Sequence, residues 1–296
     1  MSCKHKKGGS GMLLYLVIPA AALLCLCIVW CCTASHADTA AGKTCLSILM
    51  YHDVCAADTG LDDYTVSARQ LEADLAALRA EGWTPVTLSA VISCAEGSGA
   101  LPDRPVLLVF DDGYKSFLTT AYPLLCQYET PAVVSLIGQR VQGAQEGQPA
   151  YSAYLDWSDL RQLAESEWVE FQSHSDMLHQ YTGRRGAARL PGESDAQYTQ
   201  VLEADIQAMA DLCTANGITL QPAFAYPYGQ LEPLAEEILS RQGFAVTMTS
   251  EEHSNLVTQD PDSLHLLGRL NRSGHLSTEE VLCWLAYEWQ VCTEAA

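Results

Sequence analysis

Basic residues are scarce in this sequence. Lysine and arginine together number 16 in 296 residues, against 36 aspartates and glutamates, for a net charge of −20. Past residue 37 the imbalance sharpens, with 13 basic residues facing all 36 acidic ones. A surface of that sign repels phosphate backbones, which excludes nucleic acid as a partner. It also repels anionic polymers at long range, although salt screens much of this. A neutral glycan meets no such barrier. There is no CxxC pair among Cys45, Cys55, Cys94, Cys126, Cys213, Cys283 and Cys292, which excludes a zinc ribbon and a thioredoxin-type motif. Their odd number leaves any disulfide connectivity open. Cys126, in an apolar helical stretch, is expected to be a buried thiol. No internal repeat or low-complexity block is visible, so repeat and fibrous architectures are set aside.

What is present begins with Lys4-His5-Lys6-Lys7, followed by an uncharged apolar run from Met12 to Cys32. About 20 apolar residues span a bilayer as a helix, and leading positive charge keeps the N-terminus in the cytoplasm. The small residues of Ser35-His36-Ala37 also suit signal peptidase. Residues 1–37 are therefore expected to be a signal peptide or a membrane anchor, 38–44 a linker, and 45–296 one folded domain. Either reading makes the membrane a partner and puts the domain outside the cytoplasm.

Within the domain, short apolar runs predict strands at 46–51, 106–110, 132–137, 168–172, 222–226, 244–249 and 264–270. Helical spacing predicts helices at 67–81, 115–128, 157–166, 194–216, 231–242 and 278–290. Alternating strand and helix implies an α/β fold with a parallel sheet, open or closed into a barrel. Asp111-Asp112-Gly113, His174 and Pro227-Tyr228-Gly229 each follow a predicted strand. Carboxyl ends of parallel strands are where such folds place chemistry, so three strand ends point to one face.

Asp-Asp-Gly is a common solvated turn, and its functional claim rests on company. Side chains alternate along an extended chain, so one carboxylate can meet a cation while its neighbour faces a substrate. His174 and His179 are five apart, which on a continuous helix rotates them away from each other. Sharing one ion requires a loop or a bent helix start, with Ser175 or Asp176 as N-cap. One aspartate and two histidines with open positions match a catalytic zinc site, and a second carboxylate beside it suits a general base. Such a set hydrolyses amides or esters.

The three motifs together resemble those of the NodB-homology polysaccharide deacetylases, carbohydrate esterase family 4. Val109-Phe110-Asp111-Asp112-Gly113, His174-Ser175 with His179, and Pro227-Tyr228-Gly229 occur in that family's order and intervals. The resemblance implies a distorted (β/α) barrel over 45–296. It implies Asp111 as base, Asp112, His174 and His179 as metal ligands, and the Tyr228 backbone at the oxyanion. Zinc is the expected ion, with cobalt, nickel or manganese as alternatives. The implied partner is an N-acetylated polysaccharide, which would lose acetate.

Two departures stand out. The histidines are separated by one residue more than in many members, and Ala225 stands where many have arginine. Both features, with Leu49-Met50-Tyr51-His52-Asp53, resemble the poly-N-acetylglucosamine deacetylase branch. Arg269 is the candidate to orient Asp111 in place of the missing arginine. His52, Pro227 and Gly229 are candidate substrate-binding residues, and His265 or His275 could supply the catalytic acid. The alternative is an inactive carbohydrate-binding protein of the same fold. A two-carboxylate glycosidase leaves the histidines unexplained.

Overall fold

The first described element, β1 (Lys43–Tyr51), is buried from Cys45 onward. An apolar run of that length with no polar face suits a central strand covered on both sides. The computed structural model describes residues 42–144 and 154–296. The helix expected in residues 1–37 and the first part of the linker lie outside the described residues. Among the described residues, no helix is long and apolar enough to cross a membrane.

The strands after β1 are β2 (Asp53–Cys55), β3 (Thr65–Ser67), β4 (Thr84–Pro85), β5 (Pro105–Phe110) and β6 (Ala132–Leu136). Then come β7 (Val169–Ser173), β8 (Ala223–Ala225), β9 (Val246–Met248), β10 (Asn255–Thr258) and β11 (Leu270–Asn271). β1, β5, β6, β7, β8 and β9 pair in that order, all parallel. Closure comes from the stretch 267–271. Leu267 bridges Met248 of β9, and Leu270 pairs with Leu49 of β1. The sheet thereby wraps into the distorted barrel that the resemblance implied, the closed of the two forms that the strand–helix alternation left open. β10 runs antiparallel along the start of β1, and β2 with β3 forms a small separate sheet.

Strand parity sorts the core. Leu46, Ile48, Leu107, Val109, Val133, Ala223 and Ala225 share one buried cluster inside the barrel. Their neighbours Leu49, Tyr51, Leu108, Phe110, Val134 and Leu136 face outward. There they meet Leu71, Leu75 and Leu78 of the helix Ala68–Ala80, and Val281 and Leu285 of the helix Thr278–Ala295. Both helices open with a serine capping box, Ser67 with Gln70 and Ser277 with Glu280.

Three expectations are corrected. The predicted strand 264–270 starts at the end of the 3-10 turn Pro261–Leu264, turns again at Leu266 (φ 58°), bridges at Leu267 and has ladder pairing at Leu270–Asn271. The left-handed backbone at Leu266 breaks the extended run there. The helix expected over 115–128 opens as a wide turn at Phe117–Ala121 and becomes regular at Tyr122–Gln127. Pro123 lacks the N–H that a regular helix needs there. Cys126 is half-buried, because its helix lies at the surface. The helix Leu88–Ala95 was not foreseen; it adds Leu88, Val91 and Cys94 to the inner cluster.

Candidate active site

The inner register of each strand runs on into the polar residues at its carboxyl end. His52 continues Ile48 on β1, Asp111 continues Leu107 and Val109 on β5, and His174 continues Gln172 on β7. The Asp111 N–H still donates to the Tyr51 carbonyl at 2.9 Å, as a ladder residue does. Asp112 then turns to φ 72° and Gly113 to φ 68°. Aspartate tolerates this left-handed region better than most residues. The sharp turn separates the two carboxylates.

Arg269 reaches Asp111 from the stretch that closes the barrel. Its Nη1 donates to Oδ1 at 2.9 Å and to Oδ2 at 2.8 Å, and its Nε donates to the Thr249 carbonyl at 2.7 Å. Both partners are almost fully buried. Burial pushes the Asp111 carboxyl up. The Arg269 guanidinium, with His174 and His52, outweighs that and holds it well below the usual carboxylate range. Ser135 on β6 adds a hydrogen bond in the same direction.

Asp112 meets the two histidines. Its Oδ1 lies 3.2 Å from Nε2 of His179 and 3.6 Å from Nε2 of His174. One ligand atom from each of the three residues falls within 4.8 Å of the others. Nδ1 of His174 sits 2.8 Å from the Ala225 carbonyl, so it donates there and leaves Nε2 facing Asp112. Burial pushes the His179 imidazole down to about 4, with His174 adding to the effect. Asp112 Oδ1 is buried without a hydrogen-bond partner. Two imidazole nitrogens and a carboxylate oxygen converging in this way are the donor set of a divalent cation.

Of the two arrangements expected between the histidines, a loop or a bent helix start, the chain takes the loop, as a tight turn. Ser175 adopts φ 72°, and its Oγ accepts the Leu178 N–H at 3.2 Å. Asp205, on the helix Asp195–Ala215, accepts the N–H of Asp176 at 2.9 Å and of Met177 at 2.7 Å. That carboxylate folds the five-residue interval back so that His179 comes round to His174. Sequence reading missed Asp205, which looks like any acidic residue on an amphipathic helix.

The other candidates are distributed unevenly. His52 is buried and close enough to feel the charges of Asp111, Asp112, Arg269 and His174. Burial pushes its imidazole below its ordinary value, and its Nδ1 has no hydrogen-bond partner. Tyr228 adopts φ 58°, with its ring centroid 4.3 Å from that of His179. Gly229 packs so tightly that a Cβ there would collide with Ser250 Oγ, and the Pro227 carbonyl closes against Gly186. Pro227 and Gly229 thus pin the turn that presents Tyr228. His265 is committed to Glu236 at 2.8 Å, and His275 is exposed beside Asp62. Tyr114 and Tyr154, also missed, stack at 5.2 Å beside Asp112. Lys115, buried against Asp156 and Asp159, ties their segment down.

The family model described as polysaccharide deacetylase matches residues 98–247, just over half of the chain. The chain belongs to the polysaccharide deacetylase family. That span carries Asp111, Asp112, His174, His179 and Tyr228, whereas the candidate residues His52 and Arg269 lie outside it. The poly-beta-1,6-N-acetyl-D-glucosamine N-deacetylase of Escherichia coli K12 is 28% identical over 228 residues, 69% of this chain. The match takes in 33% of that relative, so the chain spans about a third of its length. The structure of IcaB from Ammonifex degensii aligns with a TM-score of 0.66 and 26% identity, covering 82% of this chain and 97% of that one. A de-N-acetylase from Aggregatibacter actinomycetemcomitans shares the fold, with a TM-score of 0.68 at 22% identity over 81% of this chain and 99% of that one.

Proposed function

We propose that this chain is an extracytoplasmic, metal-dependent deacetylase. It hydrolyses the N-acetyl groups of N-acetylglucosamine-type residues in a cell-surface or cell-wall polysaccharide and releases acetate. The observation that carries this reading is the pairing of an ionised, buried Asp111, gripped by Arg269, with the three-donor set Asp112, His174 and His179. The E. coli relative's name and the likeness to IcaB support an exported poly-N-acetylglucosamine as the substrate class.

Asp112, His174 and His179 would hold the cation, with zinc first by donor chemistry and cobalt, nickel or manganese also suited to nitrogen and oxygen ligands. When bound, the ion supplies a Lewis acid for the amide carbonyl and a water of lowered pKa. The chain does the rest. Asp111, ionised at neutral pH, takes the proton of the attacking water. Arg269 keeps that carboxylate charged and aimed. The Tyr228 backbone N–H, set by the Pro227–Gly229 turn, faces the oxyanion of the tetrahedral intermediate. His52, neutral in its buried place, receives that proton from Asp111 and passes it to the departing nitrogen, a role that His265, already bonded to Glu236, is poorly placed to fill. The C–N bond breaks, leaving acetate and a free sugar amine.

The expected anchor or signal at 1–37 and linker at 38–44 would deliver the 45–296 domain to the substrate's side of the membrane. Full-length chain supplied with zinc or cobalt should release acetate from N-acetylglucosamine oligomers, and a chelator should stop it. Asp111→Asn should cost about 10²–10⁴-fold in kcat. Absence of release from every acetylated oligomer would leave the inactive carbohydrate-binding alternative, and an Asn variant as active as the parent would remove Asp111 from the role of base.

A further inference from the structure

Among the described residues, three aromatic side chains are largely exposed: Tyr64 at 58%, Tyr181 at 79% and Tyr287 at 63%. Two of the three pack against the site. Tyr64 meets His52 edge-on, with ring centroids 4.9 Å apart. Tyr181 meets Tyr228 at 5.9 Å, and Tyr228 in turn meets His179. Strand order fixes their sides. His52 follows β1, while His179 and Tyr228 follow β7 and β8, with the Asp111–Asp112 end of β5 between them.

The rings deeper in the site are already covered. The Arg185 guanidinium lies 4.6 Å from the Tyr228 ring centroid, and Arg140 lies 5.1 Å from that of Tyr154. Tyr64 and Tyr181 instead leave much of their surface to water. An exposed apolar ring beside a built site is stabilised when a ligand covers it. The ligand that suits two such rings is a chain of flat, equatorially substituted sugars, whose C–H faces are apolar and whose edges carry hydroxyls.

We propose that Tyr64 and Tyr181 are sugar-stacking subsites on either side of the reacting residue. The enzyme therefore works within a linear chain of at least three N-acetylhexosamines rather than on a free sugar. This rests on the deacetylase reading and adds the length and mode of its substrate.

The test uses full-length chain with zinc and N-acetylglucosamine oligomers of one, three and five units. Tyr64→Ala and Tyr181→Ala should each raise KM for the pentamer about ten-fold, with kcat and the monomer's kinetics unchanged. Tyr181→Phe should behave as the parent, and Tyr287→Ala serves as the control. A double alanine variant that still prefers pentamer over monomer as the parent does would overturn the subsites. Calorimetric titration of pentamer into Asp111→Asn, with and without the tyrosine changes, reads the subsites independently of turnover. Weaker binding without the tyrosines supports them and equal binding refutes them, whereas the deacetylase reading stands or falls on acetate alone.

Cys45 on β1 and Cys292 on the helix Thr278–Ala295 are both buried, and their Sγ atoms lie 2.6 Å apart. We further propose that these two close an intramolecular disulfide outside the cytoplasm, stapling the first strand to the last helix. Two thiols exchange with a small-molecule or protein disulfide: one S–S bond forms, the oxidant's S–S bond is reduced, and two thiols leave on the oxidant. Contact with Cys292 holds the Cys45 thiol down at about 7, so a thiolate is at hand. Full-length chain oxidised with glutathione disulfide, then alkylated and digested, should yield a Cys45–Cys292 linked peptide pair. Reductant should lower Tm by about 5–15 °C, and Cys292→Ser should abolish that sensitivity. Alkylation of both cysteines after oxidation would overturn the staple.

Discussion

Replacing Arg269 with methionine removes both hydrogen bonds to Asp111 and the one to the Thr249 carbonyl. The carboxylate it leaves behind is about 2% exposed, and among the described residues no other arginine or lysine pairs with it, while His174 Nε2 stands 3.9 Å away. Stranding a buried charge in this way costs about 3–5 kcal/mol, and the unpaired carbonyl adds about 1 kcal/mol. For a domain of this size each kcal/mol moves Tm by about 2–4 °C, so Arg269→Met should lower Tm by about 10–20 °C in chelator-treated protein. Asp111→Asn in the same chain removes the stranded charge and should recover about half of the loss, giving a coupling of about 2–3 kcal/mol. Thermal unfolding of the parent, both single variants and the double variant measures it. Arg272 supplies the comparison, since it is equally buried but holds Asp74 at 2.6 and 3.1 Å. Arg272→Met should cost similar stability while its folded fraction keeps the parental kcat. A loss under 1 kcal/mol for Arg269→Met, or a double variant that loses the sum of the singles, would refute the claim that Asp111 is a charge kept in place by Arg269.

Asp205→Ala should leave the barrel folded but release the turn between the histidines, lowering metal affinity about 10–100-fold, as read by titration calorimetry with zinc. Gly229→Ala forces a methyl against Ser250 at φ 61° and should cost about 2–3 kcal/mol, visible as a lower Tm. His179 has a folded pKa of about 4, below the unfolded value of about 6.5. The unfolded chain therefore takes up the proton first, and metal-free stability should decline as pH falls from about 6.5 through 4, by about 1–2 kcal/mol after solvent screening. Melting curves at intervals across that range should show the decline in the parent and its loss in His179→Gln.

The parts of this architecture that could be read in advance share one physical origin. Strands such as Val106–Phe110 and Ala132–Leu136 are buried on both faces, so their apolar runs are unbroken and end abruptly where the chemistry begins. Parity then carries His52, Asp111 and His174 to one mouth. The helix Leu88–Ala95 was hidden because it is only eight residues long and two small residues, Ser89 and Ser93, are all that mark its outer face. Its start is set by the Thr87 side chain and by Glu170, which accepts the Leu88 N–H from a strand 82 residues away. Asp205 and Tyr154 were illegible for the same reason, since only tertiary packing brings them to Asp176 and Asp112. Arg269 was the intermediate case. The absence of an arginine at Ala225 posed the question, and only the barrel's closure answered it.

The stretch 267–271 both closes the barrel and carries the guanidinium that governs Asp111. The seam is therefore an interlock. If it lifts from β1, Asp111 loses its counter-charge in the same motion, and on the proposed mechanism a partly opened molecule silences itself. Amide exchange at Leu267 and Arg269, whose N–H groups bond the Thr247 and Glu251 carbonyls, should then rise in step with activity loss at denaturant concentrations too low for global unfolding.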